Sequence, residues 1–341
     1  MIPTFLSQFP SRIEISPDQH IELNQKPSKA FLKLVDETIW GTTGPKYYFF
    51  KSADKINDFG TALYCSFHHL GELKAAFTII IRHDKTNDLI TLYGKHFTAF
   101  QSNVKGAGVK LIYHVRKAFL QSKIPFVFHA YIDDENQQSL NVCNKFNLVP
   151  LAKFKTYNFS RVSPKASSYK IAPINEVSNS YFESQLFHDR NFKKGTFKCQ
   201  TSDQFQIEVA MNLWRIISLP GFTGQLVTKI LPYIPVLNRL INANKFDFLS
   251  VVDFSKNFPR NEELEQLFNT LLTKHGVHSI MLWLNHLDPL NQQLESLNWG
   301  IIQKANHVKL TNILGYVHLP SPEINQALEN NLIKVNAFDI G

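Results

Sequence analysis

Apolar residues along the chain fall into two spacings, one suited to strands and one to helices. Ala62–His69 and Lys74–His83 read as two alternating strands that turn at Leu70-Gly71-Glu72, which predicts a hairpin. Leu89–Phe100 is dense in aromatic and β-branched side chains, as strands are. Over Val109–Leu120 the spacing changes, with Val109, Ile112, Val115 and Phe119 on one helical face. A strand over Pro125–Ile132, a short helix over Gln137–Phe146 and a strand over Leu151–Ser160 complete the series. Ahead of the hairpin, an N-terminal arm and helix are expected to about Trp40. A hairpin feeding a strand–helix–strand–helix–strand series predicts an α/β fold: a mixed, mostly antiparallel sheet flanked by helices.

The order then recurs. Lys245–Phe254 reads as a strand. Glu262–His275 reads as a helix, with Leu264, Leu267, Phe268, Leu271 and Leu272 on one face and Gly276 as its stop. A strand over His278–Asn285 and a short helix over Gln292–Leu297 follow. Asn-Gln-Gln stands at 136–138 and again at 291–293, each time just after a strand, and together with the element order this indicates a duplication. Ser160–Ser168, rich in serine and holding a proline, reads as the linker. The expected organisation is one domain over residues 1–163, a second over 164–320 and a C-terminal tail over 321–341.

Composition narrows the setting. At 341 residues, with 44% hydrophobic and 19% charged residues, the chain can fill two cores. The first sixteen residues lack a basic stretch leading into an apolar run, so no signal peptide is expected. Leu226–Leu237 is too short to span a bilayer and contains Lys229, Pro232 and Pro235. Cys65, Cys143 and Cys199 form no metal-like pair, so a reducing cytoplasm and no metal are expected. The net charge of +8 sits mainly in residues 1–163, which hold 20 Lys/Arg against 13 Asp/Glu. That excess suits an anionic ligand such as a polyphosphate cofactor. The lysines are scattered, without a basic run or interleaved Arg–aromatic segment, which argues against nucleic acid.

Between the strand at 89–100 and the helix at 109–120 lies Asn-Val-Lys-Gly-Ala-Gly (103–108), holding two of the chain's 14 glycines. A glycine loop opening a helix aims free backbone N–H groups and the positive end of the helix dipole at one spot, an anion site. Without a Cβ, glycine also lets a ligand approach the backbone, and Lys105 adds a positive charge. A tight turn alone would use the same glycines. The Walker spacing is absent, and Leu111 stands where the dinucleotide fingerprint needs its third glycine.

With this loop, the strand after it and Glu135–Leu148 taken together, residues 55–160 resemble the GNAT (Gcn5-related N-acetyltransferase) superfamily. That family carries Gln/Arg-x-x-Gly-x-Gly/Ala between its fourth strand and third helix, and Asn-x-x-Ala-x-x-x-Tyr-x-x-x-Gly-Phe after its fifth strand. Gly106 and Gly108 match the glycines, with Asn103 where Gln or Arg is usual. Asn136 matches the asparagine, Ser139 the small residue, Cys143 the tyrosine, Asn147 the glycine and Leu148 the phenylalanine. The resemblance implies two GNAT-like domains and an acyl-CoA-dependent N-acyltransferase, with acetyl-CoA or another acyl-CoA as co-substrate. It implies that His96, Phe97 and Thr98 meet the pantetheine arm between splayed strands. Val104, Lys105, Gly106, Ala107, Gly108 and Val109 would surround the pyrophosphate, with Asn136 nearby. The second half resembles a degenerate repeat: Pro259 removes an N–H donor, and Glu262, Glu263 and Glu265 oppose a phosphate at that helix. Fem-type aminoacyl transferases and mycothiol-synthase-like enzymes are similar in having tandem GNAT-like units.

Amide formation from a thioester needs a placed donor, a base for the amine, donors for the oxyanion and stabilisation of the thiolate. Candidate bases are Glu72 and His96, with His68 and His129 on other strands. Cys143 is the candidate acid, at the position of the family's tyrosine, and Tyr131 and Tyr157 are possible lining residues. The acceptor is expected to be an amine of a small molecule or amino sugar. Two alternatives stay open: a Fem-like transferase using aminoacyl-tRNA, and a non-catalytic protein that binds acyl-CoA or a partner.

Overall fold

A computed structural model describes residues 2–41, 46–49, 56, 60–84, 88–99, 104–166, 171–187, 196–201, 205–219, 221–230, 233–234, 241–300, 302–303 and 309–337. The N-terminal region holds more than the expected arm and helix. A short helix α1 (Ile2–Leu6) is followed by a hairpin, β1 (Arg12–Ser16) and β2 (Gln19–Asn24), and only then by α2 (Lys29–Glu37), which Ser28 caps through the N–H of Phe31. After β3 (Lys46–Phe49) come the expected hairpin, β4 (Ala62–His69) and β5 (Glu72–Asp84), and then β6 (Leu89–Ala99), α3 (Ala107–Phe119), β7 (Phe126–Asp133), α4 (Gln137–Lys145) and β8 (Val149–Ser160).

Ala75–Arg82 are buried without a break because β5 is covered on both faces. Ala75, Phe77, Ile79 and Ile81 enter a core shared with Leu111, Val115 and Phe119 of α3; Ala76 and Ile80 enter another shared with Phe31, Leu34 and Val35 of α2. The buried face of α3 is rotated from the one expected. It carries Gly108, Leu111, Val115 and Phe119, while Val109 is exposed and Ile112 half-buried. Apolar spacing alone could not separate the two faces, since a glycine counts as no hydrophobe yet packs as one here.

The second half runs β9 (Ala172–Pro173), β10 (Thr196–Gln200), β11 (Gln206–Ser218), α5 (Gly221–Lys229), β12 (Phe246–Phe254), α6 (Asn261–His275), β13 (Ser279–Asn285), α7 (Leu290–Glu295), β14 (Lys309–His318) and α8 (Pro322–Asn330). All fourteen strands join one sheet, ordered β1-β2-β4-β5-β6-β7-β14-β8-β13-β12-β11-β10-β9, with β3 also on β11. The crossing in its middle is reciprocal. β14 lies between β7 and β8, and β8 lies between β14 and β13, all antiparallel. Each half thus places its last strand against the other half. Around this crossing, Val127 and Phe154 share a core with Met281, Trp283 and Ile313. The region past 320 is also packed: Ile333, Val335 and Ala337 are buried, and Lys334 N–H donates to the carbonyl of Leu186. Among the described residues no helix is long and apolar enough to cross a membrane.

Gly315 marks a close approach in the crossing, because a Cβ there would overlap the carbonyl oxygen of Phe128, a backbone atom held by its own ladder. Gly315→Ala should cost about 2–3 kcal/mol as an overpacking change. The loss should appear as one transition at lower Tm by both tryptophan fluorescence and circular dichroism. Two separate transitions, with only one shifted, would contradict a sheet that folds as a unit.

Candidate functional site

β6 and β7 are parallel neighbours only from Ile90–Tyr93 against Phe126–His129. Beyond that both strands continue, β6 to Ala99 and β7 to Asp133, but no longer as partners. Each is held from its outer side. β5 pairs with β6 as far as Ala99, and β14 pairs with β7 as far as Asp133. A bulge in β6, where Ala76 pairs with Thr98 and Thr78 with Lys95, bends the strand away. His96 sits in the bulge with φ 53°, a left-handed conformation that costs a non-glycine residue free energy and is held by the surrounding packing. The result is a wedge-shaped gap in the sheet.

A cavity of about 610 Å³ fills the wedge and reaches both faces of the sheet. Its lips are Gly94–Ala99 and Ala130–Asp133. On the face covered by α3 and α4 it is lined by Ile112, Val115, Arg116, Ser139, Val142 and Cys143; on the α2 face it meets Thr38, Trp40 and Tyr47. Thr156, Trp283, Thr311 and Tyr316 line it from the crossing strands and the second half. The pocket is thus largely apolar, with a few polar groups at set places, as ligand sites usually are.

The glycine loop opens α3 beside this wedge. Gly106, the N-cap, has φ +78° and open space where a Cβ would project, and no side chain of its own caps the first turn. Gly108 plays a different part. A Cβ there would stand 2.7 Å from Cζ of Phe97, so its missing side chain admits a residue of β6. Ala107 is buried, Val104 half-buried, and Lys105 and Val109 exposed. Asn103 lies outside the described residues.

The remaining expected site residues divide. His96, Phe97 and Thr98 line the cavity, as do Asn136 and Cys143. His96 is buried, its Nδ1 3.3 Å from Thr78 Oγ1 and its ring 5.5 Å from that of Trp40. Asn136 caps α4 by accepting from the N–H of Ser139 at 3.0 Å. Burial pushes the Cys143 thiol up to about 11. Glu72 is not brought to the cavity: it is exposed at the β4–β5 turn, 2.5 Å from Lys74 Nζ, which holds its carboxyl below the usual range. Of the candidate lining tyrosines, Tyr131 reaches the cavity, while Tyr157 is buried in the second half's core and donates to Asn291. His129 is buried beside Tyr93 and Phe187.

Residues that periodicity did not single out also line the wedge. Asp133 lies at its mouth, near enough to Tyr47 to add to the burial that pushes that phenol up to about 12. Arg116 lies over the ring of Tyr316 at 5.0 Å, and burial pushes the Tyr316 phenol up to about 12 although the guanidinium opposes it. Arg116 was legible in principle, since it falls on the Gly108–Val115–Phe119 side of α3. Tyr316 was not, because only the crossing brings β14 beside β7.

The second half has the same gap in a closed form. β12 and β13 pair only from Phe248–Ser250 against Ser279–Met281. The chain itself bridges the open end. Ser180 Oγ donates to Asp253, the N–H of Tyr181 to the carbonyl of Phe254 at 2.7 Å, and Tyr181 Oη and Gln185 Nε2 to Asp288. At α6 the side chain of Glu263 accepts from the N–H of Arg260 and pairs with its guanidinium, satisfying that helix end internally.

No family model matches the sequence. Among solved structures, the chain is similar to Saccharomyces cerevisiae N-myristoyltransferase with bound myristoyl-CoA, at TM-score 0.51 and 7% identity over 91% of this chain and 85% of that one. The fold is GNAT-like. Crystal structures of GCN5-related N-acetyltransferases from Sphaerobacter thermophilus (TM-score 0.47, 9% identity, 90% of this chain and 98% of that chain) and Kribbella flavida (0.46, 9%, 89% and 72%) are also similar.

If Phe97 is what demands glycine at 108, the two positions should be coupled. Gly108→Ala is expected to cost about 1 kcal/mol or more in the wild-type background. In a Phe97→Leu background, where Cζ is gone, it should be neutral or stabilising by up to about 1 kcal/mol, because alanine favours helix over glycine. A double-mutant cycle by urea denaturation measures this. An equal cost in both backgrounds would mean that Phe97 is not the reason.

Proposed function

We propose that the protein is an acyl-CoA-dependent N-acyltransferase that holds one acyl-CoA per chain in the β6–β7 wedge. The observation that carries this is the open wedge itself, continuous with a cavity that reaches both sheet faces and flanked by a helix whose N-cap is an open glycine. The residues fit the group. A strand-like arm can pair with the lips of the wedge as an added strand does. Gly106 and the first turn of α3 can receive the pyrophosphate. Bound there, the group supplies an activated acyl carbon and a thiolate leaving group.

The chain's own residues then divide the work by face. The α3–α4 side holds the donor arm, with Val142 and Ser139 along it. The acceptor amine comes from the α2 side, past Trp40 and Tyr47, so that its nitrogen reaches the acyl carbon from the face opposite the donor. A C–N bond forms as the C–S bond breaks, and the amine's proton passes to a base. His96 and Asp133 are the groups in place for that, whereas Glu72 is remote. The backbone N–H groups of the bulge are suited to the oxyanion. Cys143 is a weak acid in this site, its pKa of about 11 lying well above that of an ordinary thiol at about 8.5. The acceptor proposed is an amine of a small molecule or amino sugar. A second reading, acyl-CoA binding without transfer, is favoured by one observation: the residue at the family's tyrosine position is a buried, poorly acidic thiol.

Titration calorimetry with acetyl-CoA and longer acyl-CoAs, followed by an amine screen, tests the reading. One site per chain is expected. No binding of any acyl-CoA would end the proposal, and two sites would refute the closure of the second wedge. With an acceptor in hand, Cys143→Ser should lower kcat less than tenfold, under about 1.4 kcal/mol. A hundredfold fall with unchanged donor affinity would make Cys143 the acid after all.

A further inference from the structure

We propose that His20, Glu22 and His68 form a binding site for a divalent transition-metal ion, zinc by the chemistry of the donors, on the sheet formed by β2 and β4. The site owes its existence to register. His20 and His68 are directly opposed across the antiparallel ladder, and Glu22 follows His20 by two residues and so shares its face. The alternate residues Ile21 and Leu23 go into the core on the other face, which fixes the histidines and the glutamate away from it.

The three donor groups already converge. Glu22 Oε1 stands 3.6 Å from His20 Nε2, its Oε2 stands 3.8 Å from His68 Nε2, and all three ligand atoms lie within 4.8 Å of one another. Both separations are too long for hydrogen bonds. They are close to what a metal would impose: with bonds of about 2.0–2.1 Å and tetrahedral angles, neighbouring donors sit about 3.4 Å apart. The imidazoles lie parallel, 3° between planes and 4.9 Å between centroids, so small ring tilts bring both nitrogens to a common point.

A second observation points to a ligand. His68 Nε2 is shielded from solvent and, among the described residues, has no hydrogen-bond partner, a state that costs free energy unless something satisfies it. Two imidazoles and a carboxylate are a zinc set with one open position for water. They disfavour magnesium and calcium, which take oxygen donors. Arg12, opposite Glu22 across the β1–β2 ladder, is drawn off by Glu14 at 2.6 Å.

The row of paired residues through Glu22 continues to Ser66, Ala76 and Thr98, so the site lies three strands, about 14 Å, from the wedge lip. A metal there would clamp the β1–β2 hairpin to β4 at the edge of the sheet rather than take part in acyl transfer, and it stands independently of that reading.

The test uses the full chain freed of metal by a chelator. Zinc chloride is titrated in competition with a chromophoric indicator, Tm is followed, and cobalt(II) is added for its visible spectrum. One zinc per chain at micromolar affinity, a raised Tm and cobalt bands of four-coordinate intensity are expected. Glu22→Gln and His68→Gln, which keep approximate shape, should each weaken zinc at least tenfold. His69→Ala should leave it unchanged, since His69 lies opposite Gln19, whose side chain binds Lys110 of α3 on the other face. Absence of zinc binding by the folded wild type at submillimolar concentration would overturn the proposal. So would equal affinity in folded Glu22→Gln and His68→Gln.

Discussion

The reciprocal pairing of β8 and β14 is the constraint from which most of this structure follows. A strand that ends one half of a chain usually closes that half's own sheet. Here each one hydrogen-bonds to a strand of the other half, so neither sheet is complete without its partner. Backbone groups in the middle of a sheet cannot be left without partners except at a large cost. Separating the halves would break four ladders, β7–β14, β14–β8, β8–β13 and β3–β11, together with the core that Val127, Phe154, Met281 and Ile313 share. The two halves are therefore built into one continuous sheet, and the absence of a Cβ at Gly315 is what lets their backbones lie this close.

The same pairing explains why the wedge stays open. A gap between parallel strands will close if either strand is free to swing. β7 is fixed to β14 along its whole length, and β6 is fixed to β5 with its bulge pointing the end outward. The gap's geometry is therefore set by the outer neighbours of its two lips, β5 and β14, which also contribute to its lining. Tyr316, Thr311 and Trp283 come to the cavity along with that support. A site supported in this way is pre-organised, and a ligand entering it need not pay to order the lips.

Much of this was legible in the sequence, and the failures have physical causes. β4, β5, β6, β7 and the helices after β6 and β7 lie within a few residues of their expected ranges, because local spacing dictates local structure. The first-half cavity residues His96, Phe97, Thr98 and Cys143 were likewise reachable from strand, loop and helix order. The exchange was not. Lys309–His318 carries no signal that it pairs with Phe126–Asp133 rather than with a strand of its own half, since both partners would offer the same ladder. The β1–β2 hairpin was missed because its apolar residues, Ile13, Ile15, Ile21 and Leu23, are few and alternate over short runs. That the missing Cβ of Gly108 gives room to Phe97 was not legible either, because only the packing of α3 on β6 reveals it. The histidine–glutamate cluster was invisible for a related reason: residues 20 and 68 become neighbours through ladder register, not sequence spacing.

The two wedges bear on function through their difference. Both gaps arise where a parallel ladder stops after three or four pairs. In the second, Ser180, Tyr181 and Gln185 supply hydrogen bonds across the opening, and the adjoining helix end is satisfied by Glu263. In the first, among the described residues, no strand is paired into the gap, and the helix beside it begins with a glycine that supplies no cap. A chain that merely needed both gaps filled for stability has a working solution in its second half. Leaving the first without it costs stability and makes sense if another molecule, extended like a strand and anionic at one end, supplies those contacts instead.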